Sequence, residues 1–202
     1  MFNFIIKRFF FSTCSTYKRN QKKRLIVPKV LKLQQQQPIK RISRLGKHHD
    51  LNSYIKSFES AEGDNKIHKG TVYKGTIYEY ETVKCLENVF GIVSRRVGGA
   101  GDKGIDLRGQ WFLPENKKFN IIGQCKNLSQ SCKSSSVREF EGTLCHESLN
   151  TIGILSSKSG FSKNSISRFQ TSPMPLILMK VSQGGDNCEL ILFNDTANKL
   201  LH

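Results

Sequence analysis

Apolar and polar positions alternate with two different periods after residue 70, and together they predict a mixed α/β fold. From residue 71 to 89 apolar side chains recur at three- and four-residue steps, which is typical of an amphipathic helix, and Gly91 follows where a helix commonly ends. Short apolar runs between turn residues predict strands at 92–97, 105–111, 119–125, 151–155, 176–181 and 188–193. Further helices are predicted at 135–149 and 163–169. This order predicts a mixed central sheet flanked by helices.

The first 49 residues differ from the remainder in charge, and their pattern is typical of a mitochondrial targeting sequence. They contain 13 of the 32 lysines and arginines and none of the 16 acidic residues. On a helix, one apolar stripe would be formed by Phe2, Ile5, Ile6, Phe9 and Phe10. This acid-free amphipathic segment predicts import into the mitochondrial matrix, with an anchor on a membrane surface as the alternative. No apolar run reaches about 18 residues, so no transmembrane helix is expected.

Composition divides the chain into three predicted parts. Residues 1–49 form a transit and basic segment that is expected to be disordered or removed after import. Residues 50–69 are predicted to be a linker with one short helix, and residues 70–202 to be the folded domain. After residue 49 there are 19 basic and 16 acidic side chains. The net charge of +16 is therefore weak support for nucleic-acid binding by the folded part.

The six cysteines do not predict a metal or redox motif. No two are spaced as Cys-x-x-Cys, which excludes the zinc-ribbon and thioredoxin-like motifs. Cys145 and His146 are adjacent, but neighbouring residues of a helix do not face each other and would not act as nucleophile and base. We therefore expect reduced thiols in a reducing compartment.

Polar residues on two predicted strands suggest the hydrolysis of phosphodiester bonds. Asp106 follows a glycine-rich turn, and Gln124 and Lys126 lie two residues apart at the end of the next strand. Side chains two apart in a strand share a face, so Asp106 can join them if the two strands are neighbours. Carboxylate and amide oxygens can hold Mg²⁺ or Mn²⁺, and a lysine ammonium can orient water or offset charge on the phosphate.

A carboxylate from the first helix would add a further metal ligand. Glu81 is the first choice and Glu79 the alternate. All these residues also have ordinary structural explanations, because aspartate after glycines forms turns, a strand-end lysine is usually solvated and a helical glutamate is usually exposed. Spacing alone does not decide between a catalytic and a structural role.

Several stretches make the sequence resemble a known family. VGGAGDKGIDLRGQW at 97–111, followed by IIGQCKN at 121–127, is similar to the signature of Mrr-type restriction endonucleases. These belong to the PD-(D/E)XK nuclease superfamily, in the subgroup with Gln-x-Lys at the third position. Further similarities follow in the family's order. Residues 80–83 resemble part of the family's first helix, residues 137–142 resemble the helix after its active site, and residues 159–165 resemble a later loop. With the N-terminal segment included, the chain most resembles the fungal mitochondrial members named for being required for respiratory growth.

The resemblance implies a restriction-endonuclease-like core of helix–three strands–helix–strand. It also implies metal-dependent cleavage of DNA with Mg²⁺ or Mn²⁺ as cofactor. Its implied active-site residues are Asp106, Gln124 and Lys126, with Glu81 as a supporting ligand.

One position departs from the family pattern. Lys103 replaces the first glycine after the aspartate of Gly-Asp-Gly-Gly, and it costs about 1 kcal/mol if that position needs a positive φ. Lys103 could also place a cation beside the DNA backbone. The candidates for phosphate contact are Arg95, Arg96, Lys103, Arg108 and Lys133.

Three functions stay open at the level of sequence. The first is a metal-dependent endonuclease that cleaves DNA in mitochondria and serves genome maintenance and respiratory growth. The second is a nuclease-fold module that binds DNA or protein without efficient cleavage, and the third is an unrelated α/β protein of the matrix. The first is favoured because Asp106, Gln124 and Lys126 are all present. No helix-turn-helix is evident, so sequence-specific recognition is not expected.

Overall fold

A computed structural model describes residues 50–59, 70–99 and 101–201, so the predicted targeting segment lies outside the described residues. The helices are α1 (Leu51–Glu59), α2 (Thr71–Phe90), α3 (Ser134–Leu144), α4 (Lys163–Gln170) and α5 (Asp195–Leu201). The strands are β1 (Val93–Arg96), β2 (Leu107–Phe112), β3 (Lys118–Lys126), β4 (Thr151–Ser157), β5 (Leu176–Val181) and β6 (Cys188–Phe193). In this part of the chain, no helix combines the length and apolar character needed to cross a membrane.

The six described strands form one mixed sheet, in which they lie side by side in chain order from β1 to β6. Strands β1, β2 and β3 are antiparallel neighbours, β3, β4 and β5 run parallel, and β6 is antiparallel to β5. Parallel neighbours need a crossover connection, which α3 and α4 supply. The predicted mixed α/β fold and its order of helix, three strands, helix and strand are confirmed.

Alternate residues of the central strands belong to two separate hydrophobic cores. Ile121 of β3 belongs to the first core, to which α2 contributes Tyr78 and Leu86. Ile122 belongs to the second, to which α3 contributes Phe140. Because successive side chains of a strand point to opposite faces, α2 covers one face of the sheet and α3 the other. Helices on both faces leave the ends of the strands as the place where polar side chains can gather.

Helix α1 packs on α2 through aromatic side chains. Tyr54 is buried, and its ring centroid lies 5.7 Å from those of Tyr73 and Tyr80. The short helix predicted in the linker is therefore present, and it is attached to the helix that begins the folded domain.

Two helices, α3 and α5, differ from the prediction. Helix α3 ends at Leu144 instead of 149, because the N–H groups of His146 and Glu147 bond to carbonyls only three residues back and tighten the chain into turns. Helix α5 was not predicted. It begins after Asn194, whose Oδ1 accepts a hydrogen bond from the Ala197 N–H at 2.9 Å and so caps the helix.

Candidate active site

The glycine-rich turn places Asp106 beside the end of β3. Its N–H donates to the Gly123 carbonyl at 2.9 Å, and its carbonyl accepts hydrogen bonds from the N–H groups of Val97 and Gly98. The side chain is fixed as well, because Oδ2 accepts a hydrogen bond from the Cys125 N–H at 2.6 Å. Asp106 stands one residue before β2 and is held on both sides by backbone bonds.

The turn before Asp106 is shaped by a second aspartate. Asp102 accepts hydrogen bonds from the N–H of Gly104 at 2.8 Å and from the N–H of Gly99 at 3.0 Å. Lys103, between Asp102 and Gly104, has a φ of 55°. The position that departs from the family pattern therefore does need a left-handed backbone. Sequence reasoning gave Asp102 no role, although an aspartate among glycines is a signal for such side-chain to backbone turns.

Gln124 lies buried next to this turn with an unpartnered oxygen. The residue is 7% exposed, and no hydrogen bond to its Oε1 is found among the described residues. A Cβ at Gly104 would lie 2.8 Å from the Gln124 Nε2, so the glycine leaves room for the amide. A buried oxygen without a donor is costly, and a cation or water would satisfy it.

Lys126 ends β3 on the same face as Gln124. Strands β2 and β3 are neighbours as expected, with Leu107 opposite Gly123. The carboxylate of the preceding Asp106 accepts the N–H of Cys125, the residue between Gln124 and Lys126. Lys126 is half-buried, and its ammonium acts electrostatically on the Asp106 carboxyl. The structure therefore brings the three predicted residues together at one end of the sheet.

Helix α2 supplies a different carboxylate from the one preferred on sequence. Glu81 accepts a hydrogen bond through Oε1 from the Gly184 N–H at 2.8 Å, so it holds the turn between β5 and β6. The alternate, Glu79, does face the turn, since its Oε2 and the Asp106 Oδ1 lie 3.2 and 3.3 Å from the place of a Cβ on Gly98. The expectation that Glu81 approaches the site is corrected, because residues two apart on a helix point in nearly opposite directions.

Burial and mutual repulsion make this group of carboxyls more basic than usual. Burial raises the pKa of Asp106, which the Cys125 N–H bond opposes and the charge of Asp102 reinforces. Burial also raises the pKa of Glu79, against the effect of the Arg96 guanidinium, while Asp106 adds to the rise. A cation placed among these oxygens would relieve both effects.

The predicted phosphate-contacting cations divide into two groups. Arg96 forms an ion pair with Glu79, and Arg108 forms two hydrogen bonds with the Glu147 carboxylate, at 2.9 and 2.7 Å. Lys103 and Lys133 are exposed, and Arg95 is half-buried. The lysines are therefore better placed than Arg96 and Arg108 to meet a phosphate.

No three His, Cys, Asp or Glu side chains are grouped to hold a metal ion within residues 50–59, 70–99 and 101–201. The candidate oxygen donors at this end of β3 are the Asp106 carboxylate and the Gln124 amide, while both oxygens of Asp102 accept backbone N–H groups of the turn. Hard oxygen donors of this kind suit Mg²⁺ and Mn²⁺, which keep several waters as ligands.

The element order and this polar group define a mixed α/β protein with the layout expected of a restriction-endonuclease-like core. A family model described as "Required for respiratory growth protein 7" matches residues 70–121 and 112–201. The chain belongs to the Required for respiratory growth protein 7 family, and the resemblance stated from the sequence is confirmed.

Relatives in several yeasts are named mitochondrial proteins. An uncharacterised mitochondrial protein of Schizosaccharomyces pombe is 30% identical over 149 residues, which are 72% of this chain and 58% of that protein. Required for respiratory growth protein 7 of Kluyveromyces lactis is 27% identical over 172 residues, covering 65% of this chain and 71% of that protein. The chain thus spans less than two thirds of the length of the S. pombe relative.

Two solved structures of restriction endonucleases are also similar. MspJI restriction endonuclease in complex with a 27-mer oligonucleotide has a TM-score of 0.45 and 16% identity, over 72% of this chain and 33% of that chain. The DNA modification-dependent restriction endonuclease AspBHI has a TM-score of 0.39 and 15% identity, over 67% of this chain and 33% of that chain.

Proposed function

We propose that this protein is a metal-dependent nuclease that hydrolyses phosphodiester bonds of DNA in the mitochondrial matrix. The observation that carries the proposal is the hydrogen bond from the Cys125 N–H, between Gln124 and Lys126, to the Asp106 carboxylate, together with a buried Gln124 amide oxygen that lacks a donor. The names of the yeast relatives support a mitochondrial location and a role in respiratory growth. Maintenance of the mitochondrial genome is the process in which such an activity would serve that growth.

Asp106 and Gln124 would hold a Mg²⁺ or Mn²⁺ ion, with Glu79 as a further carboxylate. When bound there, the ion would polarise the phosphate and lower the pKa of a coordinated water. The donor set fits such an ion because the Gln124 Oε1 has no partner among the described residues, and because a cation would stabilise the Asp106 carboxylate, whose pKa is raised chiefly by burial.

The chain's own residues do the remaining work. Lys126 orients the attacking water and offsets the negative charge that develops on the phosphate in the transition state. The Cys125 N–H keeps the Asp106 carboxylate in one orientation, and Asp102 holds the turn that carries it. The side chains are thus fixed before substrate arrives, which lowers the reorganisation needed during the reaction.

A second candidate is a nuclease-fold module that binds DNA without efficient cleavage. It is favoured by the ion pair between Arg96 and Glu79, because a carboxylate neutralised by arginine is less available to a metal ion. Metal affinity would then depend on Asp106 and the uncharged Gln124, and cleavage would be slow.

The test is a cleavage assay with the full chain and Mg²⁺ or Mn²⁺ on linear, nicked and branched DNA. We expect divalent-dependent cleavage that EDTA stops and that Asp106→Ala abolishes, which excludes a contaminating nuclease. Binding without cleavage of any of these substrates would replace the nuclease proposal with the binding module.

A further inference from the structure

Two loops at the carboxyl ends of β3 and β4 are joined into one surface by backbone hydrogen bonds. The Cys132 N–H donates to the Gly160 carbonyl at 2.9 Å, and the Ser162 N–H donates to the Cys132 carbonyl at 3.1 Å. The strand ends are joined too, because the Lys158 N–H donates to the Lys126 carbonyl at 3.1 Å. Side chains on the two loops are therefore held in a fixed arrangement.

The two loops that form this surface are basic and contain no acidic residue. The strand-end surface, as we call it, consists of Lys126, Lys133, Lys158 and Lys163. No Asp or Glu occurs from residue 116 to 138 or from 151 to 170. Lys133, Lys158 and Lys163 are exposed, and Lys126 is half-buried. The low net charge of the folded part thus conceals a local concentration of positive charge.

The lysines of the strand-end surface differ from many other cations in the described part of the chain. Six cations there are within 4 Å of an acidic side chain, namely Lys84, Arg96, Arg108, Lys117, Arg168 and Lys180. None of the four lysines of the surface forms an ion pair within the described residues. Like charges on a rigid support repel one another, and a polyanion removes that repulsion.

The surface is continuous with the candidate active site through Lys126. Lys133 is the residue before α3, and its side chain makes no capping hydrogen bond to the first turn. The first N–H groups of a helix have no intrahelical acceptors and can donate to an anion. Lys163 is the first residue of α4 on the neighbouring loop, so both helices begin at this surface.

We infer that the strand-end surface binds the phosphate backbone of a nucleic-acid strand and presents it to Asp106, Gln124 and Lys126. The inference rests on the proposed function, to which it adds the place and chemistry of substrate binding. Contacts to phosphates carry no sequence information, so a surface that binds the backbone binds without regard to sequence. DNA and RNA share this backbone chemistry, and binding assays with duplexes of each distinguish them.

The test compares two double variants of the full chain that remove the same charge. Lys158→Ala with Lys163→Ala removes half of the strand-end surface and leaves Lys126 in place. Lys118→Ala with Lys199→Ala is the control, since both lysines are exposed and lie outside the surface. Binding to DNA and RNA duplexes is measured with EDTA present over a range of salt concentrations, so that no cleavage interferes.

We expect the first double variant to bind DNA more weakly and to lower the magnitude of the slope of log K against log salt by about 1.8, because each phosphate that is no longer neutralised changes it by about 0.9. The control pair should leave the slope unchanged. The inference would be overturned if the slope changed equally in both double variants or changed in neither. It would also be overturned if the first double variant bound anionic vesicles more weakly but bound duplexes as well as the wild type does. The expected binding changes in a protein that never cleaves would instead refute the proposed nuclease and leave the inference standing.

Discussion

Among single residues, Lys126 is the one whose removal should separate catalysis from folding. We expect Lys126→Ala to reduce single-turnover cleavage about 10²–10³-fold, because its ammonium stabilises charge present mainly in the transition state. The free energy of unfolding should fall by less than about 1 kcal/mol, since a half-buried strand-end lysine contributes little to the core. Equal cleavage rates for wild type and variant under identical metal and DNA would remove Lys126 from the mechanism.

Two glutamates on α2 provide a matched pair for the next prediction. Glu79→Ala should raise the Mg²⁺ concentration needed for half-maximal cleavage, because it removes a carboxylate beside Asp106. Glu81→Ala should cost about 1–3 kcal/mol of stability, since the Gly184 N–H loses its acceptor, while the metal requirement stays the same. Urea unfolding and metal titration of both variants measure the two effects, and the reverse pattern would restore Glu81 to the site.

The raised pKa of Asp106 predicts a stability that depends on pH. Burial raises this pKa, so the ionised Asp106 carboxylate lowers the free energy of unfolding. This loss of stability begins as pH rises past the pKa of Asp106 in the unfolded chain. It is complete once the pH exceeds the pKa of Asp106 in the folded protein. Asp106→Asn should therefore raise Tm at neutral pH, because its amide oxygen can still accept the Cys125 hydrogen bond without a charge. The gain should vanish well below the ordinary aspartate pKa of about 3.9. Thermal unfolding followed from acid to neutral pH checks this, and a lower Tm for the variant at neutral pH would contradict it.

The candidate site was predictable from sequence where it depends on strand geometry. Gln124 and Lys126 share a face because they are two apart in one strand, and that relation needs no knowledge of the rest of the fold. The choice between Glu79 and Glu81 depends on how α2 is rotated against the sheet. The sequence does not determine that rotation, and in the structure the buried face of α2 includes the polar residues Glu81 and Thr82.

At the scale of elements, the glycine turn before β2 offers a test of how closely the backbone approaches Gln124. Gly101 and Gly104 have φ values of 83° and 77°, so alanine at either position costs about 1–2 kcal/mol. A Cβ at Gly101 meets nothing within 4 Å, whereas one at Gly104 would lie 2.8 Å from the Gln124 Nε2. We expect both variants to lose similar stability and Gly104→Ala alone to lose cleavage per folded molecule. Equal cleavage by the two variants would show that the position of the Gln124 amide is unimportant.

Strands β5 and β6 were predicted more closely than the end of α3. Bounds for β5 and β6 agree with the structure because their apolar runs are flanked by proline, glycine and polar turn residues. No glycine or proline follows α3 to mark its end; the helix gives way to turns at His146 and Glu147, and Glu147 there pairs with Arg108 on β2. That contact is tertiary, and helical periodicity alone extended α3 too far.

At the scale of the whole molecule, the first 49 residues are predicted to direct the protein to mitochondria. A fluorescent reporter fused to residues 1–49 should accumulate in the matrix, because the segment is basic, free of acidic residues and amphipathic. The same fusion with Lys7→Glu and Arg8→Glu is the control and should import poorly. A reporter that stays in the cytosol, or that reaches only the outer surface of membranes, would contradict the prediction.

The order of the strands has a consequence for how the chain acquires its structure during synthesis. Each strand from β2 onward pairs with the strand made just before it, so the sheet can grow in the order in which the ribosome releases it. Helix α2 cannot follow this order. Its Tyr78 bonds to Ser156 and its Glu81 to Gly184, which is 103 residues later in the chain. The hydrogen bond between Glu81 and Gly184 therefore cannot form until the turn between β5 and β6 has been made.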